Sequence, residues 1–273
     1  MQQSDVGGRA LGWILRLWIL LALGIVVADL ADSAKIPWLE PDPLPQRPSR
    51  LERSGPAIPQ PLKPPEPGDQ LRPYDPAAFP LRPDGSLPVL PGASEPLQPS
   101  REAMAFSWTL LEGRPAIVAS GMIEPGSAAE LRRFDLQHDE RAELVVLLSP
   151  GGLVQEALAM GDYLRSRSLE TLVPDGGYCA SACPLVLAAG ERRRVARDAW
   201  IGLHQPYLGG DSGLAADRAV ADVQLLNYEI LTRLDQWGVD PRLWTFALQA
   251  PPAKMYVLRP EEMMAYRLAH SLF

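Results

Sequence analysis

Gly177-Tyr178-Cys179-Ala180-Ser181-Ala182-Cys183-Pro184, followed by an apolar run over 185–189, is the stretch on which the reading of this chain turns. Small residues surround one serine where a β-rich segment gives way to an apolar helix. That arrangement presents a hydroxyl at a helix N-terminus, where a serine serves as an N-cap or as a nucleophile. Two flanking segments bear on the choice. Upstream stands Leu147-Leu148-Ser149-Pro150-Gly151-Gly152, and downstream Ile201-Gly202-Leu203-His204-Gln205-Pro206.

Outward from the serine, strand and helix patterns alternate. Residues 143–148 are a nearly unbroken aliphatic run ended by Ser-Pro-Gly-Gly, the pattern of a strand buried on both faces in a parallel sheet. Leu153, Ala157, Met160 and Leu164 then recur at helical spacing. Strands are expected over 106–111, 115–120, 171–173, 194–196 and 200–203. Helices are expected around 131–136, over 182–189, over 214–237 and over 261–268. Gly238 ends the long helix, and Asp240-Pro241 starts the next one. The class is therefore α/β with right-handed crossovers.

Acyl transfer by a serine needs a base, oxyanion donors and usually a carboxylate to orient the base. His204 ends an expected strand and is the candidate base, while Gly151 and Gly152 let backbone N–H groups approach a substrate closely. His138 and His270 read as structural. Of the run Arg192-Arg193-Arg194, the expectation is a solvated turn or strand end.

Taken together, Ser149-Pro150-Gly151-Gly152, Ala180-Ser181-Ala182 ahead of an apolar helix, His204-Gln205-Pro206 with Gly209-Gly210, and the closing stretch 260–268 resemble the peptidase subunit of the Clp protease family. The resemblance covers about 116–270 and implies the Clp/crotonase-type fold of repeated ββα units. It implies Ser181 as nucleophile, His204 as general base, and the amides of Gly151 and Ala182 as the oxyanion hole. One departure stands out. The position of the family's orienting aspartate falls at Lys254 or Met255, neither of which accepts a hydrogen bond from an imidazole N–H. Asp235, Asp240 and Glu261 are the nearest carboxylates in sequence. Lys254 is left either as a solvated lysine or as an alternative base of a serine-lysine pair.

Cys179 and Cys183 are the only two cysteines and flank the serine symmetrically, near the limit of disulfide reach across the helix start; an exported domain favours the bridge, and a reduced pair would be two small buried hydrophobes. Two thiols without a nearby histidine do not make a zinc site, and no metal or cofactor is expected. This Cys-Ala-Ser-Ala-Cys variant looks like a branch of bacterial Clp-like proteins predicted to be periplasmic.

The N-terminal part fits that location. Residues 11–28 are apolar except for Arg16, Arg9 precedes them and Asp29, Asp32 and Lys35 follow, so a transmembrane helix over 11–30 is expected with residues 1–10 in the cytoplasm. A cleaved signal peptide is the alternative, since Ala31, Ser33 and Ala34 are small. Residues 37–100 hold 19 of the 29 prolines, so 31–103 reads as a disordered linker and 104–273 as the folded α/β domain. The net charge of −7 and the lack of a basic stripe exclude nonspecific nucleic-acid binding. The expected protein is an inner-membrane, ATP-independent serine hydrolase with its main domain in the periplasm. It would act on peptides or unfolded chains without an ATPase partner, and a homo-oligomer is compatible with the resemblance. The alternative is a non-catalytic scaffold or binding protein that has lost the aspartate; a coenzyme-A-dependent enzyme of the crotonase branch is the third and weakest reading.

Overall fold

The computed structural model describes residues 13, 16, 18–21, 23, 70–74, 87–91, 96–97, 100, 102–207 and 216–273. The chain divides into two compact units, 1–58 and 59–273. Among the described residues no helix is long and apolar enough to cross a membrane. The span expected over 11–30 lies outside them, apart from Trp13, Arg16, residues 18–21 and Leu23, which are helical and exposed.

In chain order the elements of the second unit are β1 (Leu71–Pro73), β2 (Ala105–Leu111), β3 (Arg114–Ser120), α1 (Ser127–Leu136), β4 (Leu144–Leu148), α2 (Val154–Ser166), β5 (Glu170–Val173), β6 (Tyr178–Ala180), α3 (Cys183–Ala188), β7 (Arg193–Val195) and β8 (Trp200–Leu203). There follow α4 (Ala216–Gln236), a 3-10 turn (Pro241–Leu243), α5 (Trp244–Gln249), β9 (Lys254–Val257), α6 (Pro260–Ala265) and β10 (Ser271–Leu272). The successions β2-β3-α1, β5-β6-α3 and β7-β8-α4 repeat the ββα unit.

Six strands form one sheet in the order β10-β7-β5-β4-β3-β2, and β1-β9-β8-β6 form a second. All pairs from β3 through β10 in the larger sheet are parallel; only β2 runs antiparallel, against β3. The aliphatic run of β4 explains its central place. Val145 and Leu147 face the helices, among Met160, Leu164 and Ile230, while Leu144, Val146 and Leu148 face the opposite side with Leu172. Alternate side chains of a strand point to opposite faces, so a strand covered on both sides must be apolar throughout. Each such side chain contributes about 1.5–3 kcal/mol by leaving water.

The linker expected over 31–103 is corrected at three places. Leu71–Pro73 pairs antiparallel with residues 254–256 of β9 as an edge strand, where proline is tolerated. Gln70 is buried, its amide donating to Glu262 at 3.1 Å, and the Tyr256 hydroxyl lies 2.6 Å from Gln70 Oε1 and 2.9 Å from Glu262 Oε1. Leu90 and Leu97 join the apolar cluster on the second face of the larger sheet, and the Val89 N–H donates to Asp175. Composition over 64 residues averaged out a few apolar anchors that the sheet then used.

The reading of Arg192-Arg193-Arg194 is corrected as well. Arg193 is 1% exposed, and its guanidinium donates to the carbonyls of Gly190, Trp237, Arg267 and Leu268. Arg194, the middle residue of β7, pairs with Glu112. His138 stacks on Trp108 and His270 packs against Arg193, both structural roles.

Candidate active site

β6 and β8 are parallel neighbours in register, Ala180 opposite Gly202, so their C-terminal ends open side by side. Ser181 follows β6 and His204 follows β8. Ligands of parallel sheets bind at that end of the strands, because the loops that leave there converge. The Ser181 N–H donates to the Gly202 carbonyl at 2.9 Å, and the Ala180 N–H to the Ser149 carbonyl at 3.0 Å. These bonds hold a backbone that bends sharply: Ser181 has φ of +59°, a left-handed conformation that costs a non-glycine residue roughly 1–2 kcal/mol.

The N-cap of α3 is Ala182, without a side-chain cap bond, and Pro184 lies in the first turn. Ser181 is therefore not the cap. Its Oγ lies 2.7 Å from His204 Nε2. On the other side of the ring, Nδ1 lies 2.8 Å from the Gln205 carbonyl oxygen. A carbonyl only accepts, so Nδ1 carries the proton, and Nε2 is left to accept from the serine hydroxyl. The Gln205 peptide is held in turn, its N–H on the Ala250 carbonyl at 2.9 Å and its side chain on Leu248 at 2.7 Å. His204 is 4% exposed, and burial holds its pKa below the usual 6.5, against a smaller opposing effect of the Gln205 carbonyl.

Cys179 and Cys183, both fully buried, form a disulfide, one cysteine on either side of Ala180-Ser181-Ala182. The strained turn is thus closed covalently across its base. Lys254 is exposed on β9, and Met255 is buried over Gly202, where an added Cβ would meet its sulfur at 1.7 Å. Neither stands at Nδ1, which already has its partner in the Gln205 carbonyl. Asp235 and Glu261 are exposed, and Asp240 starts the 3-10 turn by accepting from the Arg242 N–H. Among the described residues no group of three or more His, Cys, Asp or Glu side chains is placed to hold a metal ion.

A cleft of about 480 Å³ opens in front of Ser181 and His204. Its walls are mostly apolar, including Met122, Ile123, Leu153, Pro206, Tyr207 and Leu226. Gly152 lines it, whereas Gly151 lies behind, its N–H donating to Ser149 Oγ at 3.1 Å. The bonds Ile123 N–H to Gly151 O and Leu153 N–H to Ile123 O make a parallel bridge at Gly152. In such a bridge the N–H of Gly152 itself points away from Ile123. That turn cannot carry side chains. A Cβ on Gly151 would stand 2.4 Å from the Ser181 Cβ, at a φ of +101°. Gly151→Ala is expected to lower stability by about 2 kcal/mol or more in urea unfolding, by strain plus overpacking. A change under 0.5 kcal/mol would show that the turn yields.

The family model described as Clp protease matches residues 117–232. This region is a Clp protease domain. It runs from β3 into α4 and includes both Ser181 and His204. The Cys179–Cys183 bridge adds a covalent tie around the serine of this Clp protease domain, in keeping with its Cys-x-Ser-x-Cys motif. Two parts of the site have no counterpart in the sequence pattern. The Gln205 carbonyl is a backbone group and has no residue signature. The other is Tyr74, whose ring centroid is 4.7 Å from that of His204 and whose hydroxyl donates to the Pro150 carbonyl at 2.9 Å. It sits in Pro73-Tyr74-Asp75-Pro76, a segment without periodicity.

Proposed function

We propose that the protein is a membrane-anchored serine peptidase of the Clp type that works outside the cytoplasm and without ATP. The observation that carries the chemistry is the 2.7 Å approach of Ser181 Oγ to a His204 whose Nδ1 lies on a carbonyl. Ser181 Oγ attacks a peptide carbonyl carbon as its proton passes to His204 Nε2. The tetrahedral oxyanion is received by backbone N–H groups, and the imidazolium then protonates the leaving amine. Water, deprotonated by the same nitrogen, releases the acyl group from Ser181.

For the oxyanion we assign the N–H of Ala182, which precedes α3 and has no intrahelical partner, and that of Gly152. Gly151, expected from the family pattern, is replaced in this assignment because its N–H is taken by Ser149. The apolar walls favour peptides with an apolar residue beside the scissile bond. The apolar stretch 11–28 with arginine on its N-terminal side supports an anchor, and the disulfide supports an oxidising compartment. Assembly of several copies is in keeping with the exposed Val220, Leu225 and Tyr228 of α4.

A non-catalytic binding protein is the second reading, favoured by the carbonyl that stands where serine proteases place a carboxylate. Losing that carboxylate costs about 10⁴-fold in turnover. Fluorophosphonate labelling of the full, oxidised chain separates the two: adduct on the Ser181 peptide supports the peptidase, and a folded chain that never labels overturns it. The pH profile gives a further test. His204 must be neutral to act, and burial depresses its pKa, so kcat/KM is expected to rise with pH along a limb centred below 6.5. A limb centred above 7 contradicts this assignment.

A further inference from the structure

We propose that Tyr74, delivered by the proline-rich segment ahead of the Clp domain, is a positioning residue for His204. The inference rests on His204 being the base. An imidazole held only by a neutral carbonyl at Nδ1 lacks the strong, charged partner that fixes ring orientation in serine proteases. Tyr74 supplies a second constraint. Its ring lies against the imidazole at 4.7 Å with a 35° tilt, and its hydroxyl is fixed on Pro150, next to the Gly151-Gly152 turn. The same side chain therefore ties the base to the turn that carries an oxyanion donor.

The strand that brings Tyr74 is firmly held. β1 pairs with β9, the Tyr74 N–H donates to the Ala253 carbonyl at 3.1 Å, and the Arg72 guanidinium lies 5.8 Å over the Trp200 ring. Gln70, one residue before the strand, is buried on Glu262. The groups facing His204 are the phenols of Tyr74 and of Tyr207, at 5.9 Å, together with the Ser181 hydroxyl, and Glu124 lines the same cleft. Removing the Tyr74 ring opens one face of the imidazole to water and frees its rotation.

The test uses the full, oxidised chain with labelled histidine. Only three histidines are present, so His138 and His270 serve as internal reports that the fold is kept. Tyr74→Ala is expected to move the His204 titration up toward 6.5 and to slow fluorophosphonate labelling by up to about 10²-fold. Tyr74→Phe keeps the ring and is expected to leave the titration in place, with a smaller loss of rate. An unchanged His204 titration in Tyr74→Ala, with His138 and His270 unmoved, overturns the proposal. If Tyr74→Ala disturbs the other two histidines, Tyr74→Leu is compared with Tyr74→Phe, and equal titrations of those two overturn it. A wild-type chain that does not label overturns the peptidase reading instead, and the titration still decides on Tyr74.

Discussion

Ser181→Ala and His204→Ala, each in the full oxidised chain, are expected to reduce fluorophosphonate labelling to background and peptide hydrolysis by at least about 10²-fold. The size follows from how catalytic groups combine. In serine proteases, loss of the nucleophile or base costs about 2 × 10⁶ in kcat, and loss of the carboxylate alone about 3 × 10⁴, while the effects do not add. With a carbonyl at Nδ1, much of the carboxylate's share is absent before either substitution is made. The serine and histidine are left with roughly the quotient of those figures, about 10². A loss near 10⁶ would mean that the Gln205 carbonyl and the Tyr74 ring together do the work of a carboxylate. The double variant should be no slower than either single one. Labelling that persists in Ser181→Ala would place the nucleophile elsewhere and remove the basis of the mechanism.

Arg193→Leu is expected to destabilise the domain by about 4 kcal/mol or more, read from the urea midpoint at unchanged slope. The arginine joins three chain ends that would otherwise meet as bare carbonyls: Gly190 after α3, Trp237 after α4, and Arg267 and Leu268 after α6. Its guanidinium also lies 2.8 Å from His270 Nε2. Burial, with smaller repulsion from Arg165 set against attraction to Glu191, lowers its pKa to about 10, so it remains charged at neutral pH. Each carbonyl left buried and unpaired costs about 1–3 kcal/mol, partly relieved where water enters. Arg193→Lys keeps the charge but not the fork, so it is expected to recover only part of the loss. A cost below 1 kcal/mol for Arg193→Leu would show that water replaces the guanidinium at little expense.

Ser181 and His204 are legible along the chain as candidates because each follows a short apolar strand, and the fold brings them to within 2.7 Å of each other. The buried role of Arg193 is not legible in this way, because neighbouring arginines are usually solvated. Only the convergence of four carbonyls, from residues 3 to 75 positions away, makes a buried guanidinium stable there.

The same division holds across the molecule. The aliphatic run of β4, the helical spacing of α2 and the Asp240-Pro241 start are properties of neighbouring residues, so they were legible directly. The symmetric cysteines around Ser181 left a bridge or two buried thiols open, and the fold contains the bridge. The strand at 71–73 was hidden because an edge strand needs only three residues and a partner, and β9 lies more than 180 residues away. The orienting acceptor of His204 was hidden for another reason. Every residue has a carbonyl, so no residue type could point to Gln205 in place of the missing aspartate. Local pattern determines which segments become strands and helices and which side chains are candidates for chemistry. Tertiary packing decides which backbone groups complete the site, because a hydrogen-bond acceptor on the main chain is specified by position in space and not by the identity of its residue.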